Sequence, residues 1–428
     1  MIDTVALELK IIELAMRGKL THQNKSEQAD IFFDEIVSLR DKYQKEGTVA
    51  KVKPMADIKE EEKVFSIPDN WKWVRLNEVL DVVMGQSPQG TSVSSDCEGM
   101  EFHQGKIYFT EKFLDDSKQR TCEITKIAKA NSVLLCVRAP VGVVNIVERE
   151  ICIGRGLCAI SSYSDIDPLF VFYYLKICKK KFEMQGTGST FSAITVDTVK
   201  KQLIPLPPKE EMKRIVDVLE KAFSISKSIE NAQQQYSSDL EILKSKIIDA
   251  GIQGKLTEQL SEDGTADELL EQIAEEKKQL VKEKKIKATK ALPEITEDEI
   301  PFVIPDNWKW VRFNDIANII GTGMIRSGQE QYAEADYYYF KMNNIENFTG
   351  KCDFNNMTMV NASDEEFERY KLKDGDFLFN TRNSAELVGK TAVVHNLPSD
   401  RILLNNNILK ALFWGDISSD YVNYFFIS

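Results

Sequence analysis

Apolar residues recur along this chain at helical spacing in three places and at strand spacing in the stretches between them. Leu7, Ile11 and Leu14 predict a helix within residues 1–23, with a stop near Gly18. Residues 24–66 are polar and read as a connector, with a short amphipathic helix around Ile31 to Tyr43 and a charged run from Lys59 to Lys63. From 67 to about 205, β-branched and aromatic runs bounded by Gly and Pro predict strands at Val79 to Val83, Lys106 to Phe109, Val133 to Val137, Val143 to Val147 and Leu157 to Ile160. Helical patterns cover Phe170 to Cys178 and Val196 to Lys201, and Ile204-Pro205-Leu206-Pro207-Pro208 stops the unit.

A long helical pattern starts at Lys209. Ile215, Leu219, Ala222, Ser226, Ile229, Gln233, Tyr236, Leu240, Leu243, Ile247 and Ala250 alternate steps of four and three, a heptad seam of the coiled-coil kind. At 1.5 Å per residue the seam spans roughly 54 Å, the length of a spacer. Ser226 and Gln233 are its polar positions, the type that sets register. Gly251 and Gly254 end it, and residues 261–303 form a second polar connector with a Lys/Glu-rich helix around Asp267 to Lys290.

The two connectors lead into the same peptide. IPDNWKWVR occurs as Ile67 to Arg75 and again as Ile304 to Arg312, too far apart for a solenoid repeat, so each copy opens a domain-sized unit. Pro68 biases Ile67 to extended backbone and Asp69-Asn70 suits a turn, so Trp71, Trp73, Val74 and Leu76 read as a short strand whose aromatics seal a core. Upstream, Leu9 to Gln23 matches Lys246 to Gln259, with Gly18 paired to Gly254. Those pairs are offset by 236 and the lead-ins by 237, so one residue has slipped into the exposed linker between them.

With 428 residues and 43% apolar composition, the chain has material for two or three ordinary domains. Asp3, Glu8 and Glu13 interrupt the amino-terminal apolar residues, which does not suit a secretory signal, and no apolar run reaches membrane-spanning length. A cytoplasmic location is expected. Cysteines at 97, 122, 136, 152, 158, 178 and 352 include no CxxC pair and six fall in one unit, which fits reduced, buried thiols. The histidines at 22, 103 and 395 are scattered, so a metal site has no support. The net charge of −12 is unevenly spread: Lys plus Arg against Asp plus Glu is 17 to 16 over residues 67–205 and 15 to 21 over 206–303. A neutral unit can carry a basic face, so charge leaves the partner open.

No catalytic constellation is present in the sequence. It has no phosphate loop, no [DN]PP[YF] run of the amino-methyltransferase type, and Gly321-Thr322-Gly323 lacks the spacing of a dinucleotide fingerprint. A binding subunit fits better than an enzyme.

The motifs that are present carry a resemblance. IPDNWKWVR, GQSP at Gly85 to Pro88, LLCVRAPVG at Leu134 to Gly142, GRG at Gly154 to Gly156, LIPLPPKEEMKRIV at Leu203 to Val216 and the helix end QGKLTEQ stand in one order. In that order the chain resembles the specificity subunit of a type I restriction-modification system, over essentially its whole length. The resemblance implies an α+β protein, internally duplicated, with two mixed target-recognition domains separated by long coiled-coil-like helices. The boundaries expected are 1–66 for the amino-terminal helix and connector, 67–208 for the first recognition domain, 209–303 for the central helix and charged connector, and 304–428 for a second, incomplete recognition domain.

It further implies that each domain reads one half of a split, asymmetric site in double-stranded DNA, and that the spacer fixes the permitted gap. Methyltransferase subunits and a motor-nuclease subunit are the implied partners. S-adenosylmethionine, ATP and Mg are expected on those partners, with no cofactor and no catalytic residue in this chain. Arg138 aligns with Arg382 in FLFNTRNSAELVG, which has three extra residues before Gly389, and an Arg on a loop after an apolar strand can reach a phosphate or a guanine edge. Asn405-Asn406-Asn407 stands where GRG is expected, and GTGM at Gly321 to Met324 where GQSP is expected. The candidate DNA-contacting residues are Arg138, Arg155, Arg382, Lys390 and Asn406. Aligning Phe170 to Lys176 with the closing YVNYFFIS leaves no second proline stop or second long helix, so a truncated, silent or recombination-donor copy is an alternative, as is a free-standing modification enzyme.

Overall fold

The computed structural model describes every residue except 97, 187–192, 287–291 and 348, so Cys97 and Lys290 lie outside the described residues. The chain divides into two compact units, Met1–Gln235 and Tyr236–Ser428. Each is described by itself.

In unit 1, α1 (Thr4–Met16) is capped by Asp3, whose carboxylate accepts from the Ala6 amide at 2.9 Å. It buries Ile12, Ala15 and Met16, with Leu7, Ile11 and Leu14 only half-buried. Helix α2 (Ala29–Lys45) buries Phe32 and Ile36 and leaves Ile31 in solvent. The lead-in peptide then forms β1 (Lys72–Arg75). Next come β2 (Leu80–Met84), β3 (Ser132–Cys136), β4 (Val144–Val147) and β5 (Leu157–Ser162), which make an antiparallel sheet in the order β2-β5-β3-β4. Alternation along β3 divides two cores: Val133 and Leu135 face the helices, and Leu134 and Cys136 face a second sheet that contains Ile151 and Ile153. Helix α3 (Pro168–Gln185) and the short helix Val196–Lys201 pack on the first core. Strand β6 (Leu203–Leu206) returns to pair antiparallel with β1.

The strand expected at Lys106 to Phe109 is instead a 3-10 turn, Lys106–Tyr108, in which Ile107 faces solvent and has no core to alternate against. Five cysteines are free thiols: 136, 152, 158 and 178 are buried and 352 half-buried. Cys122 departs from the expected set, being disulfide-bonded.

Helix α4 (Lys209–Ile252) runs 44 residues without interruption and contributes to both units. Its seam is buried at Ile215, Leu219 and Ser226, and exposed at Tyr236, Leu243 and Ile247, which show 65%, 53% and 48% of their surface. In unit 2, α5 (Ala266–Lys282) ends three residues before Lys285, where Lys284 takes the left-handed φ of 57°. Strands β7 (Ala317–Thr322), β8 (Phe377–Asn380), β9 (Thr391–Val393) and β10 (Ile408–Phe413) form an antiparallel sheet in the order β7-β10-β8-β9, the topology of unit 1 repeated. Helix α6 (Ser419–Ile427) packs on it.

The duplication extends to individual contacts. Phe65 meets Trp73 and Phe302 meets Trp310, both at 5.0 Å between ring centroids. Arg75 pairs with Glu62 as Arg312 pairs with Glu299, and Lys72 with Asp30 as Lys309 with Asp267. The amide of Ala29 donates to Asn70 O (3.0 Å), and that of Ala266 to Asn307 O (2.9 Å). Since Gly18 abuts Pro68 and Gly254 abuts Pro305, the slipped residue lies in the loops before α2 and α5, 24–28 against 260–265. The lead-in itself diverges. Identical in sequence, it is a strand in unit 1 and irregular in unit 2, where among the described residues no segment pairs with it as β6 does.

Candidate nucleic-acid interface

At one end of the unit 1 sheet three loops leave adjacent strands: GQSP from β2, Arg138-Ala139-Pro140 from β3, and GRG into β5. The register Cys136↔Leu157, continued by Val137 N donating to Gly156 O at 3.0 Å, sets Arg138 directly across from Arg155. Gly85 N donates to Leu157 O (2.9 Å) and Gln86 N to Ile153 O (3.0 Å), which draws GQSP onto the same end. Ser87 Oγ accepts from Arg155 N at 3.2 Å and donates to Gln104 Oε1 at 2.9 Å. Glycine is required where these backbones touch: a Cβ on Gly85 would stand 2.2 Å from Gly154 O.

Arg138 and Arg155 are exposed and make no ion pair or side-chain hydrogen bond among the described residues. Lys106, also exposed, lies close enough to oppose the shift at Cys136, whose thiol is pushed up to about 12 by burial. Gln86, Ser87 and Gln104 therefore join the arginines. GQSP was a signal for the first two; Gln104 lies between the strand Met100–His103 and the turn Lys106–Tyr108, and no motif marked it.

Below this end, Glu101 accepts from Arg149 Nε (2.7 Å), Arg149 Nη2 (2.8 Å), the Ser117 amide (2.8 Å) and His103 Nε2 (2.7 Å). Burial works against the carboxylate, but the hydrogen bonds from Arg149, Ser117 and His103 outweigh it and hold its pKa at about 2. Burial in turn lowers the His103 pKa, against the pull of Glu101. The network fixes the strand that delivers Gln104.

The equivalent end of unit 2 is assembled by the same bonds. Asn380↔Ile408, with Thr381 N donating to Asn407 O at 2.9 Å, sets Arg382 across from Asn406, as Arg138 faces Arg155. Gly323 N donates to Ile408 O (3.3 Å), Met324 N to Leu404 O (2.8 Å) and Asn406 N to Met324 O (2.9 Å). A Cβ on Gly323 would stand 2.0 Å from Leu404 O, whereas one on Gly321 would touch nothing. The counterpart of GQSP is thus Gly323-Met324-Ile325-Arg326, two residues beyond the start expected at Gly321. Part of that displacement is a β-bulge between Ala317 and Ile319, which adds one residue to β7.

Arg382 is exposed and Asn406 half-exposed; neither side chain is hydrogen-bonded among the described residues. Lys390 is placed differently. It is buried, and its ammonium donates to Ile345 O (2.7 Å), Met342 O (3.0 Å) and Asn347 Oδ1 (3.2 Å), so it braces the loop rather than meeting solvent. Arg326 is held by Glu366 at 2.8 Å.

Comparison with known proteins matches residues 68–236 to the family model described as the type I restriction modification DNA specificity domain. The chain is 37% identical over 197 residues to the putative type I restriction enzyme MjaX specificity subunit of Methanocaldococcus jannaschii, a match spanning 45% of each protein. It is 26% identical over 471 aligned positions to the type I restriction enzyme EcoEI specificity subunit of Escherichia coli, covering 96% of this chain and 78% of that one. Among solved structures, the HsdS subunit from Thermoanaerobacter tengcongensis is 30% identical at a TM-score of 0.38, covering 53% of this chain and 56% of that one.

Proposed function

We propose that the chain is a member of the type I restriction-modification specificity-subunit family and the non-catalytic, sequence-specific DNA-binding subunit of such a complex, acting in the cytoplasm. On this reading it binds double-stranded DNA, docks methyltransferase subunits and a motor-nuclease subunit, and directs them to a bipartite, asymmetric site. The observation that carries the reading is the pair of equivalent sheet ends, each presenting a register-matched pair of free polar side chains beside a glycine-pinned loop.

The two ends offer different chemistry. Arg138 and Arg155 in unit 1 are two guanidinium forks, which suit guanine O6/N7 or phosphate; Arg382 and Asn406 in unit 2 pair one fork with an amide of the kind that reads adenine N6/N7. Unlike half-sites follow. Lys390 has a bracing role here, its ammonium holding residues 342–347.

The test is a DNA-binding titration of R138A over a range of salt. A bidentate base contact predicts a loss of about 1–3 kcal/mol confined to the cognate sequence. A phosphate contact predicts weaker binding to all sequences and a salt slope shallower by about one unit. Unchanged affinity at every salt concentration, for R138A and R155A alike, contradicts the assignment of this sheet end to DNA.

A further inference from the structure

Beside the candidate interface of unit 1 stands a turn whose tip is apolar and in solvent. The strand Met100–His103 runs parallel to Ile151–Ile153, and His103 O accepts from Gly154 N at 2.8 Å, so the chain leaves this strand next to Arg155. Gln104 and Gly105 then cross Gly156, where a Cβ would stand 2.4 Å from Gln104 O and 3.7 Å from Gly105 Cα. The turn Lys106–Tyr108 follows at once and is fastened from below. Phe109 N donates to Lys106 O (2.9 Å), Asp115 N donates to Tyr108 O (3.0 Å), and Tyr108 and Phe109 pack on the second core. The Tyr108 ring meets His103 edge-on at 5.4 Å between centroids. Ile107, at most about 7 Å of chain beyond Gly105, keeps 85% of its surface in solvent.

Unit 2 repeats the turn with a different tip. Phe340 O accepts from Asn405 N at 3.0 Å, as His103 O does from Gly154 N, and the turn Met342–Asn344 follows. Lys390 fastens this one by donating to Met342 O and Ile345 O, and the Asn344 side-chain amide donates to Asp353 O at 3.0 Å. Its middle residue, exposed like Ile107, is Asn343. Two turns anchored by unrelated bonds thus keep one place in the fold, and their tips differ in chemistry.

Resting on the assignment of these sheet ends to DNA, we propose that the turn is a further specificity-determining element and that Ile107 reads thymine, packing on its C5-methyl group in the major groove. Arg138 and Arg155 supply donors for acceptor atoms, and neither offers an apolar contact. The thymine methyl is the apolar feature that a base pair presents in that groove. The unit 2 tip offers an amide instead, so the two half-sites differ at this position as well.

The probe is a DNA duplex that the full chain selects from a random pool, made again with uracil in place of each thymine in turn, which removes the methyl group and nothing else. At one thymine of the selected site the unmodified chain is expected to bind the uracil duplex about fourfold more weakly, the worth of one buried methyl group. Ile107→Ala binds the thymine duplex about as weakly and does not respond to the change. Ile107→Val responds, and Arg138→Ala binds less tightly yet keeps the response. An Ile107→Ala chain that responds as the unmodified chain does, or a selected site in which no thymine methyl matters, overturns the inference and leaves the sheet ends assigned to DNA. A chain that selects no sequence overturns that assignment as well. If Ile107→Ala keeps the response and instead no longer captures the methyltransferase subunit, the tip is a protein contact and the inference falls.

Discussion

Glu211 shows how a charge can organise a core. A glutamate in the first turn of a helix ordinarily faces solvent, yet here three donors converge on it and it is fully buried. Replacing it by Ala leaves Trp71, Gln23 and Thr21 without their acceptor and is expected to cost about 3 kcal/mol. Urea unfolding of E211A followed by tryptophan fluorescence checks this; an unshifted midpoint contradicts it. Glu101 makes a second prediction, in pH. Its folded-state pKa of about 2 lies below the ordinary 4.5, so its stabilisation is complete above about pH 4.5 and is lost as pH falls toward 2. His103, with its pKa lowered by burial, favours the neutral ring and adds a loss of stability that begins as pH falls below its ordinary 6.5. Glu101→Gln therefore flattens the acid limb of thermal stability between pH 4.5 and 2, and an unchanged limb removes Glu101 from the account. Neither residue was legible in the sequence, where both are single acidic letters among many. Lys390, expected to contact DNA, is drawn inward by three oxygens that its sequence neighbours do not reveal.

Elements were more legible than the contacts that hold them. Period-two runs located the core strands because β3 and its neighbours alternate between two packed faces, and the heptad steps located α4. The turn at Lys106–Tyr108 was missed because an apolar residue facing solvent imitates a strand position. The loop alignment in unit 2 was misplaced because a bulge leaves no mark in the letters around Asn318. The lead-in makes the limit plain: IPDNWKWVR is a strand only where Leu203–Leu206 lies beside it, so its conformation is a property of its neighbour. Helix α4 carries the element-scale prediction. Tyr236, Leu240, Leu243 and Ile247 expose an apolar row, and such a row favours association in water. Light scattering of the purified chain is expected to show mass rising with concentration, and Leu240→Gln with Leu243→Gln to suppress the rise without changing helix content. A concentration-independent monomer mass for the unmodified chain contradicts it.

For the whole molecule, the duplication was legible from one nine-residue peptide present in two copies and a second echo upstream of each, and the structure extends it to sheet order, ion pairs, ring contacts and the register of the candidate interface. The divergence between units is concentrated in the loops. The strand Met100–His103 lies parallel to Ile151–Ile153 as Tyr337–Phe340 lies parallel to Ile402–Leu404, so the framework is shared there too, but the sequences of these segments differ, and Arg155 is replaced by Asn406 at the equivalent register position. Shared framework with unlike loops fits the proposed pair of unlike half-sites, and on that proposal the units are separable as readers. The most direct measurement is a map of methylated bases in host DNA for cells carrying this chain with the methyltransferase proposed as its partner, before and after residues 76–203 are exchanged for those of a relative. The account predicts that one half of the methylated motif changes and the other is retained; a change in both halves, or in neither, contradicts it.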